Sequence, residues 1–184
     1  KQGTWREIQD KLVVPKNQLI ELTKGSLTLG NLIVEPFAVS HDAADPIGIN
    51  VFSGNDKATV VTDTGIISDD ILHRIDDSTL LVLEANYDPH MLRFGPYQPF
   101  LKQRVASDEG HLSNEMAAQA LLMMKRPDFM QVILAHRSEN NNNAVLVTQT
   151  IGKMLVDGGV RIGPEMKLQH GQPNEIVSMQ SIKR

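Results

Sequence analysis

Lys57-Ala58-Thr59-Val60-Val61-Thr62-Asp63-Thr64-Gly65 is the stretch whose reading decides the fold. Thr59, Val60, Val61 and Thr62 are β-branched, and such side chains pack well on a pleated surface, so the run reads as a buried or half-buried strand. It drives into one acid, Asp63, and Gly65 permits a sharp turn behind it. Asp63 is therefore expected at the C-terminal edge of a strand, held by a rigid element yet open to solvent. A carboxylate so placed suits metal bridging or catalysis. The simpler alternative is an Asp capping the turn, or the helix that begins near Ser68.

Working outward, Ile47–Phe52 pairs with Ala58–Thr62 as a hairpin through Gly54-Asn55-Asp56. Upstream, Thr4-Trp5-Arg6-Glu7 has the form of a capping box, which predicts a short helix to about Lys11 with Trp5 as a packing residue. Strands are expected at Leu19–Leu22, Ser26–Leu29 and Asn31–Val39, with Pro36 marking an edge or bulge. Downstream, Ser68 caps a helix to Ile75 that exposes His73, and Thr79–Leu83 is an apolar strand. Asp88–Phe94 and Pro99–Ala106 read as short helices about Gly95-Pro96. Asn114–Lys125 is a third, with Met116, Met123 and Met124 filling core gaps. Met130–Ala135 is a strand. Asn140–Asn143 reads as a solvated loop that caps the helix Ala144–Asp157, which stops at Gly158-Gly159, and a last strand is placed at Glu175–Met179. Strands fill the first third and alternate with helices thereafter, the ordering of an α/β sandwich more than of an open doubly wound sheet. Neither GxGxxG nor GxxxxGK[ST] occurs to argue for a nucleotide fold.

Composition bounds the chemistry. A chain of 184 residues, 41% hydrophobic and 22% charged, suits one domain with a real core. No apolar run approaches the roughly 20 residues that span a bilayer, and no basic-then-apolar leader opens the sequence. With no cysteine, disulfides, thiolate metal sites and Cys nucleophiles are excluded, and a reducing cytoplasm is the expected setting. Any metal site must use His and carboxylates, donors that suit zinc or manganese. A net charge of −4 argues against a broad nucleic-acid surface but leaves room for a local groove.

Predicted strands end in His41, Asp63, Glu84 and His136, and His111 stands in the turn before a helix. Each alone has an ordinary explanation: a hydrogen-bonded or exposed imidazole, a surface acid. Their shared placement lets them converge on one edge of a sheet. Imidazole and carboxylate together can hold a hydrolytic metal with an open coordination position.

Ser40-His41-Asp42-Ala43-Ala44-Asp45-Pro46, Thr62-Asp63-Thr64-Gly65, Leu83-Glu84-Ala85-Asn86-Tyr87-Asp88, Gly110-His111-Leu112-Ser113-Asn114 and Leu134-Ala135-His136-Arg137-Ser138 follow one another in that order. Together they resemble the metallo-β-lactamase-fold hydrolases, most closely the bacterial YycJ/WalJ-type branch. Met91-Leu92-Arg93-Phe94-Gly95-Pro96-Tyr97 and the Asn-rich stretch after His136 fit that branch too. The resemblance spans nearly the whole chain and implies an αββα sandwich, here its second half plus the end of the first. Residues 1–184 would then form a single domain of this type, incomplete at its N-terminus.

By the same resemblance, His41, Asp63 and His136 fall on metal-ligand positions, with Asp63 bridging two divalent ions, zinc foremost and manganese next. Glu84 and His111 look like the acid and the His that protonate the leaving oxygen in the related tRNA 3′-processing nucleases. A carboxylate bonded to an imidazole raises its pKa and keeps it a proton donor near neutrality. Arg93, Lys102 and Arg104 would offer a small basic face to a phosphate backbone, or else form an ordinary solvated helix face. The implied function is phosphodiester hydrolysis by a metal-activated water, in the manner of an exonuclease, with DNA the expected partner before RNA and homo-oligomerisation left open. Small esters, thioesters or lactams are an alternative substrate class, and a metal-free binding or regulatory module is an alternative of another kind. The family signature His-x-His-x-Asp-His, the source of further ligands, does not occur in these residues, so the pair of sites is expected to be incomplete.

Overall fold

The computed structural model describes residues 1–20, 22 and 25–178. After α1 (Gln2–Ile8) come β1 (Leu27–Leu29), β2 (Leu32–Ala38), β3 (Ile47–Ser53) and β4 (Asp56–Val61). Then follow α2 (Asp69–Ile75), β5 (Leu80–Glu84), α3 (Pro89–Phe94), α4 (Pro99–Val105), α5 (Asn114–Met123), β6 (Met130–Ala135), α6 (Ala144–Asp157) and β7 (Met166–His170). The strands form a seven-stranded sheet in chain order. β1 to β4 pair antiparallel, and β4 to β7 pair parallel. Since β2 and β4 are both antiparallel to β3, strands β2, β4, β5, β6 and β7 all run the same way. Their C-terminal ends therefore meet along one edge.

Period-two alternation selects the covered face. Thr59 and Val61 of β4 are fully buried while Val60 between them is 39% exposed. Leu81 and Leu83 of β5 and Met130, Val132 and Leu134 of β6 continue that face across the sheet. They form one core with Ala117 and Leu121 of α5 and Val147, Ile151 and Leu155 of α6. Each fully buried Leu or Ile here contributes roughly 1.5–3 kcal/mol by leaving water. That cluster is what holds the strand ends rigid beneath the polar edge.

Four local expectations differ from the structure. Thr4 lies inside α1 and not at its cap; Thr4 Oγ1 donates to Asp45 O, Asp45 Oδ2 accepts from Gly3 N at 3.2 Å, and Lys1 Nζ reaches Asp45 Oδ1 at 2.9 Å. A distant carboxylate thus does what the local box was expected to do. Leu19, Ile20 and Leu22 are not in a strand, nor are Glu175–Ser178, while Met179 lies outside the described residues. The last strand is instead β7, whose Met-Lys-Leu-Gln-His sequence has no β-branched residue; register pairing with β6, from Met130↔Met166 to Leu134↔His170, imposes it. Met124 is buried and Met116 packs on the core, but Met123 is 66% exposed.

The Asn-rich stretch is also less solvated than expected. Asn143 caps α6, accepting from Leu146 N at 3.0 Å, whereas Asn141 and Asn142 are buried. Asn142 Nδ2 donates to Ala85 O at 3.0 Å and to Asn114 Oδ1 at 2.8 Å, and Asn114 Nδ2 returns a bond to Asn142 Oδ1 at 3.1 Å. This amide pair pins the β6–α6 loop to the end of β5 and the start of α5.

Candidate active site

Four polar residues stand where the common strand direction delivers them: His41 beyond β2, Asp63 beyond β4, Glu84 closing β5 and His136 beyond β6. His111 comes to the same edge from the turn before α5, its backbone N–H donating to Val105 O at 2.9 Å. Asp63 and His136 both carry positive φ, 57° and 51°. For residues with a Cβ that conformation costs of order 1–3 kcal/mol and persists where the surroundings over-determine it. At His136 the support is Asn86, whose Nδ2 donates to His136 O at 2.7 Å while its own carbonyl accepts from Ser138 N at 2.8 Å.

Gly65 serves the turn differently from the sequence expectation. Its φ is not positive; the left-handed residue is Asp63 itself. A Cβ at position 65 would instead lie 2.2 Å from Ser107 O and 2.5 Å from the Asp108 carbonyl carbon. Glycine is required by close backbone approach, because the segment between α4 and α5 packs onto the turn.

Glu84 organises the site from beneath. Its side chain is wholly buried, and one oxygen, Oε1, lies 2.7 Å from His111 Nδ1 and 2.7 Å from His136 Nδ1. Its other oxygen accepts from Thr64 N at 3.0 Å. Burial pushes the carboxyl up, but bonds to His111, His136 and the Thr64 amide outweigh it and hold the pKa below the ordinary glutamate value. The bond to Glu84 in turn raises the pKa of His136 against the opposing effect of burial. With the carboxylate as common acceptor, each ring carries its proton on Nδ1 and leaves Nε2 for the open edge. Thr64, fully buried, links the two halves of the edge, since its Oγ1 also accepts from Ser40 N at 3.3 Å, next to His41.

The donor atoms lie close together. His41 Nε2 is 3.9 Å and His136 Nε2 3.7 Å from the same Asp63 Oδ1. The His111 ring stands between the other two imidazoles, with centroids 5.3 Å from His41 and 5.1 Å from His136. Among the described residues, two clusters bring possible ligand atoms within 4.8 Å of one another, His41–Asp63–His111 and Glu84–His111–His136. Donors on one tetrahedral zinc lie roughly 3.3–3.5 Å apart, given metal–ligand bonds near 2.0–2.2 Å. The observed 3.7–3.9 Å to Asp63 Oδ1 is slightly wider, and the residues that converge with Asp63 are His41 and His111, whereas His136 converges with Glu84 and His111. His41 Nδ1 accepts from Ala43 N at 3.1 Å and lies 3.4 Å from Asp42 Oδ1, so the bond from Ala43 would have to give way for the ring to ligate through Nε2. Ligation through Nε2 requires the proton on Nδ1 and hence Asp42 as the acceptor.

The three expected basic residues do not stay together. Arg104 reaches the site, forming a two-point bond to Asp42 that includes Nη2 to Oδ1 at 3.0 Å and that holds the carboxyl below the usual range. Arg93 and Lys102 line a separate groove with Pro89 and Leu92, and Lys102 Nζ is spent on Arg93 O at 2.8 Å. A cavity of about 350 Å³ opens beside His111 and His136, lined by Arg104, Tyr97, Leu101, Asn86, Arg137 and Asn140 among others. Sequence reading missed Thr64, Asn86, Tyr97 and Arg137. The signal available for Thr64 and Arg137 was adjacency, each directly following a residue already singled out.

The profile of the β-lactamase superfamily domain matches residues 2–136. Exodeoxyribonuclease YycJ of Bacillus anthracis is 32% identical over 181 residues, covering 97% of this chain and 69% of that protein. The chain belongs to the metallo-β-lactamase superfamily. Within it, the likeness is to the YycJ/WalJ type: exodeoxyribonuclease WalJ of Streptococcus pneumoniae is 30% identical over 184 residues, covering 97% of the chain and 68% of the relative. Among solved structures, the metallo-β-lactamase fold protein YhfI of Bacillus subtilis superposes with a TM-score of 0.63 at 14% identity, over 89% of this chain and 58% of YhfI. Zn(2+)-bound PqqB from Methylobacterium extorquens gives 0.51 at 15% identity, over 80% of this chain and 48% of PqqB. The metallo-β-lactamase fold expected from the sequence is thereby shown. No helix among the described residues is long and apolar enough to cross a membrane.

Proposed function

We propose that this superfamily member is a metal-dependent phosphodiesterase that removes nucleotides from DNA. The observation that carries the reading is the buried Glu84, which fixes two imidazoles at once, His136 facing Asp63 and His111 beside it. His41, Asp63 and His136 would contribute ligands to the pair of divalent ions expected from the sequence, with zinc or manganese suited to their N and O donors. A divalent ion there supplies Lewis-acid activation of water and neutralisation of phosphate charge.

The chain's own residues supply the rest. Glu84 accepts the Nδ1 proton of His111 and fixes the ring, so that a proton on His111 Nε2 would be delivered to the leaving oxygen. Arg104 and Arg137 at the rim of the neighbouring cavity supply positive charge where a phosphate backbone would pass. The exodeoxyribonuclease names of the two relatives support DNA as the polymer.

Metal analysis and nuclease assays on the same variants test the reading. Asp63→Ala should lower both metal content and cleavage, because two imidazoles face its carboxylate. His111→Ala should retain metal yet slow cleavage by roughly 10²–10⁴-fold, the usual contribution of a general acid. Equal metal loss in the two variants would make His111 a ligand. No DNA cleavage at any salt concentration by the metal-loaded protein would sink the nuclease reading. Failure to take up any metal on reconstitution would favour a binding module.

A further inference from the structure

Resting on that nuclease reading, we infer that the cavity beside His111 and His136 is a subsite for one terminal nucleotide, its base stacked against Tyr97. The cavity is formed where α4 faces the β6–α6 loop, and His111 and His136 form part of its wall. Any group held in it is therefore presented directly to the imidazoles proposed to act.

The lining has a division of labour that suits a nucleotide. Leu101 and Val105 give an apolar floor, and Val105 is itself buried. Tyr97 supplies an aromatic wall, and its hydroxyl accepts from Asn140 Nδ2 at 3.4 Å, which restrains the ring. Arg104 and Arg137 add positive charge, the complement of a phosphate. Arg104 is paired with Asp42, so its charge is oriented rather than free; Arg137 belongs to the segment that directly follows the ligand position His136. At about 350 Å³ the cavity lies at the small end of the roughly 300–1,000 Å³ typical of ligand sites, room for one nucleotide and not for a duplex. An aromatic face tolerates every base, because stacking uses the π-surface and not the hydrogen-bonding edge. The subsite would thus recognise that a base is present without reading which one.

This explains how an open metal edge could favour a strand end. A terminal nucleotide can place its base on Tyr97 after unstacking from one neighbour, whereas an internal nucleotide would have to unstack from neighbours on both sides. Tyr97 is then a specificity-determining residue of the same site, acting on binding and not on the proton transfers.

The test compares two DNA strands, one ending in an ordinary nucleotide and one whose terminal residue is abasic, cleaved by the intact metal-loaded chain. The wild type should disfavour the abasic end by about 5- to 150-fold, the equivalent of one stacked base, expressed in KM. Tyr97→Phe should retain that discrimination, and Tyr97→Ala should lose it through a raised KM for the ordinary strand. Equal cleavage of both strands by the wild type, or undiminished discrimination in Tyr97→Ala, would overturn the subsite while leaving the nuclease reading intact. If neither strand is cleaved, the nuclease reading fails, and calorimetric titration with thymidine monophosphate still decides the subsite. Binding to the wild type that weakens in Tyr97→Ala supports it; absent or equal binding refutes it.

Discussion

Replacing Glu84 by Gln changes one atom's chemistry at the centre of the site and leaves its volume nearly constant. The native carboxylate accepts three bonds, from His111 Nδ1, His136 Nδ1 and Thr64 N, and no part of it reaches solvent. An amide has one acceptor oxygen. If that oxygen takes the two imidazoles, the amide nitrogen faces the Thr64 N–H, donor against donor. If the amide turns over, its nitrogen faces both imidazoles and forces each to present Nδ1 as an acceptor, which moves their protons to Nε2. A buried donor left without a partner costs about 1–3 kcal/mol, and bonds to a charged acceptor are worth about 1.5–3 kcal/mol each. One clash plus the lost charge gives a destabilisation of about 3 kcal/mol, or about 6–12 °C in Tm for a chain of this length. The same change should weaken metal binding by about 10–100-fold, the usual effect of removing the partner that orients a ligating histidine. Urea unfolding in chelator and titration with zinc measure the two effects separately. A Glu84→Gln protein within about 0.5 kcal/mol of wild type, with undiminished zinc affinity, would refute the reasoning.

Other consequences follow from the same contacts. In metal-free protein, Glu84 has a lowered pKa, so its contribution is present above the ordinary 4.5 and is lost as pH falls through the folded value; His136 has a raised pKa, so its contribution is present below 6.5 and is lost as pH rises through the folded value. Stability measured in chelator should therefore decline on both sides of the interval from 4.5 to 6.5, and the decline should flatten in Glu84→Gln. Gly65→Ala places a methyl group against the Ser107 carbonyl and should cost about 1–3 kcal/mol in urea unfolding, as overpacking against backbone does. Asn142→Leu orphans the Ala85 carbonyl and both the oxygen and the nitrogen of the Asn114 amide, and should destabilise by about 2–4 kcal/mol while slowing DNA cleavage through a displaced β6–α6 loop. A calorimetric scan together with the nuclease assay checks it; unchanged thermal stability would mean that the amide pair is not structural.

What the sequence by itself determined is the set of strand ends. Strong β-branched or apolar runs, such as Thr59–Thr62 and Leu80–Leu83, stop at a polar residue, and alternation together with turn chemistry marks those stops locally. His41, Asp63, Glu84 and His136 were therefore legible as candidates, and their order carried the family resemblance. Three things were decided only by the tertiary structure. The shared direction of β2, β4, β5 and β6 sets which strand ends meet, and pairing direction is not written in any one strand. The capping of α1 by Asp45 and the strand β7 arise from partners distant in sequence, so local propensity gave the wrong cap and the wrong strand. Glu84 is the clearest case: its sequence marks an acid at a strand end, but only burial, and bonds to residues 20, 27 and 52 positions away, make it a single acceptor that orients two imidazoles. A hydrogen bond needs its donor and acceptor within about 3 Å of each other, and folding alone brings groups so far apart in sequence to that distance.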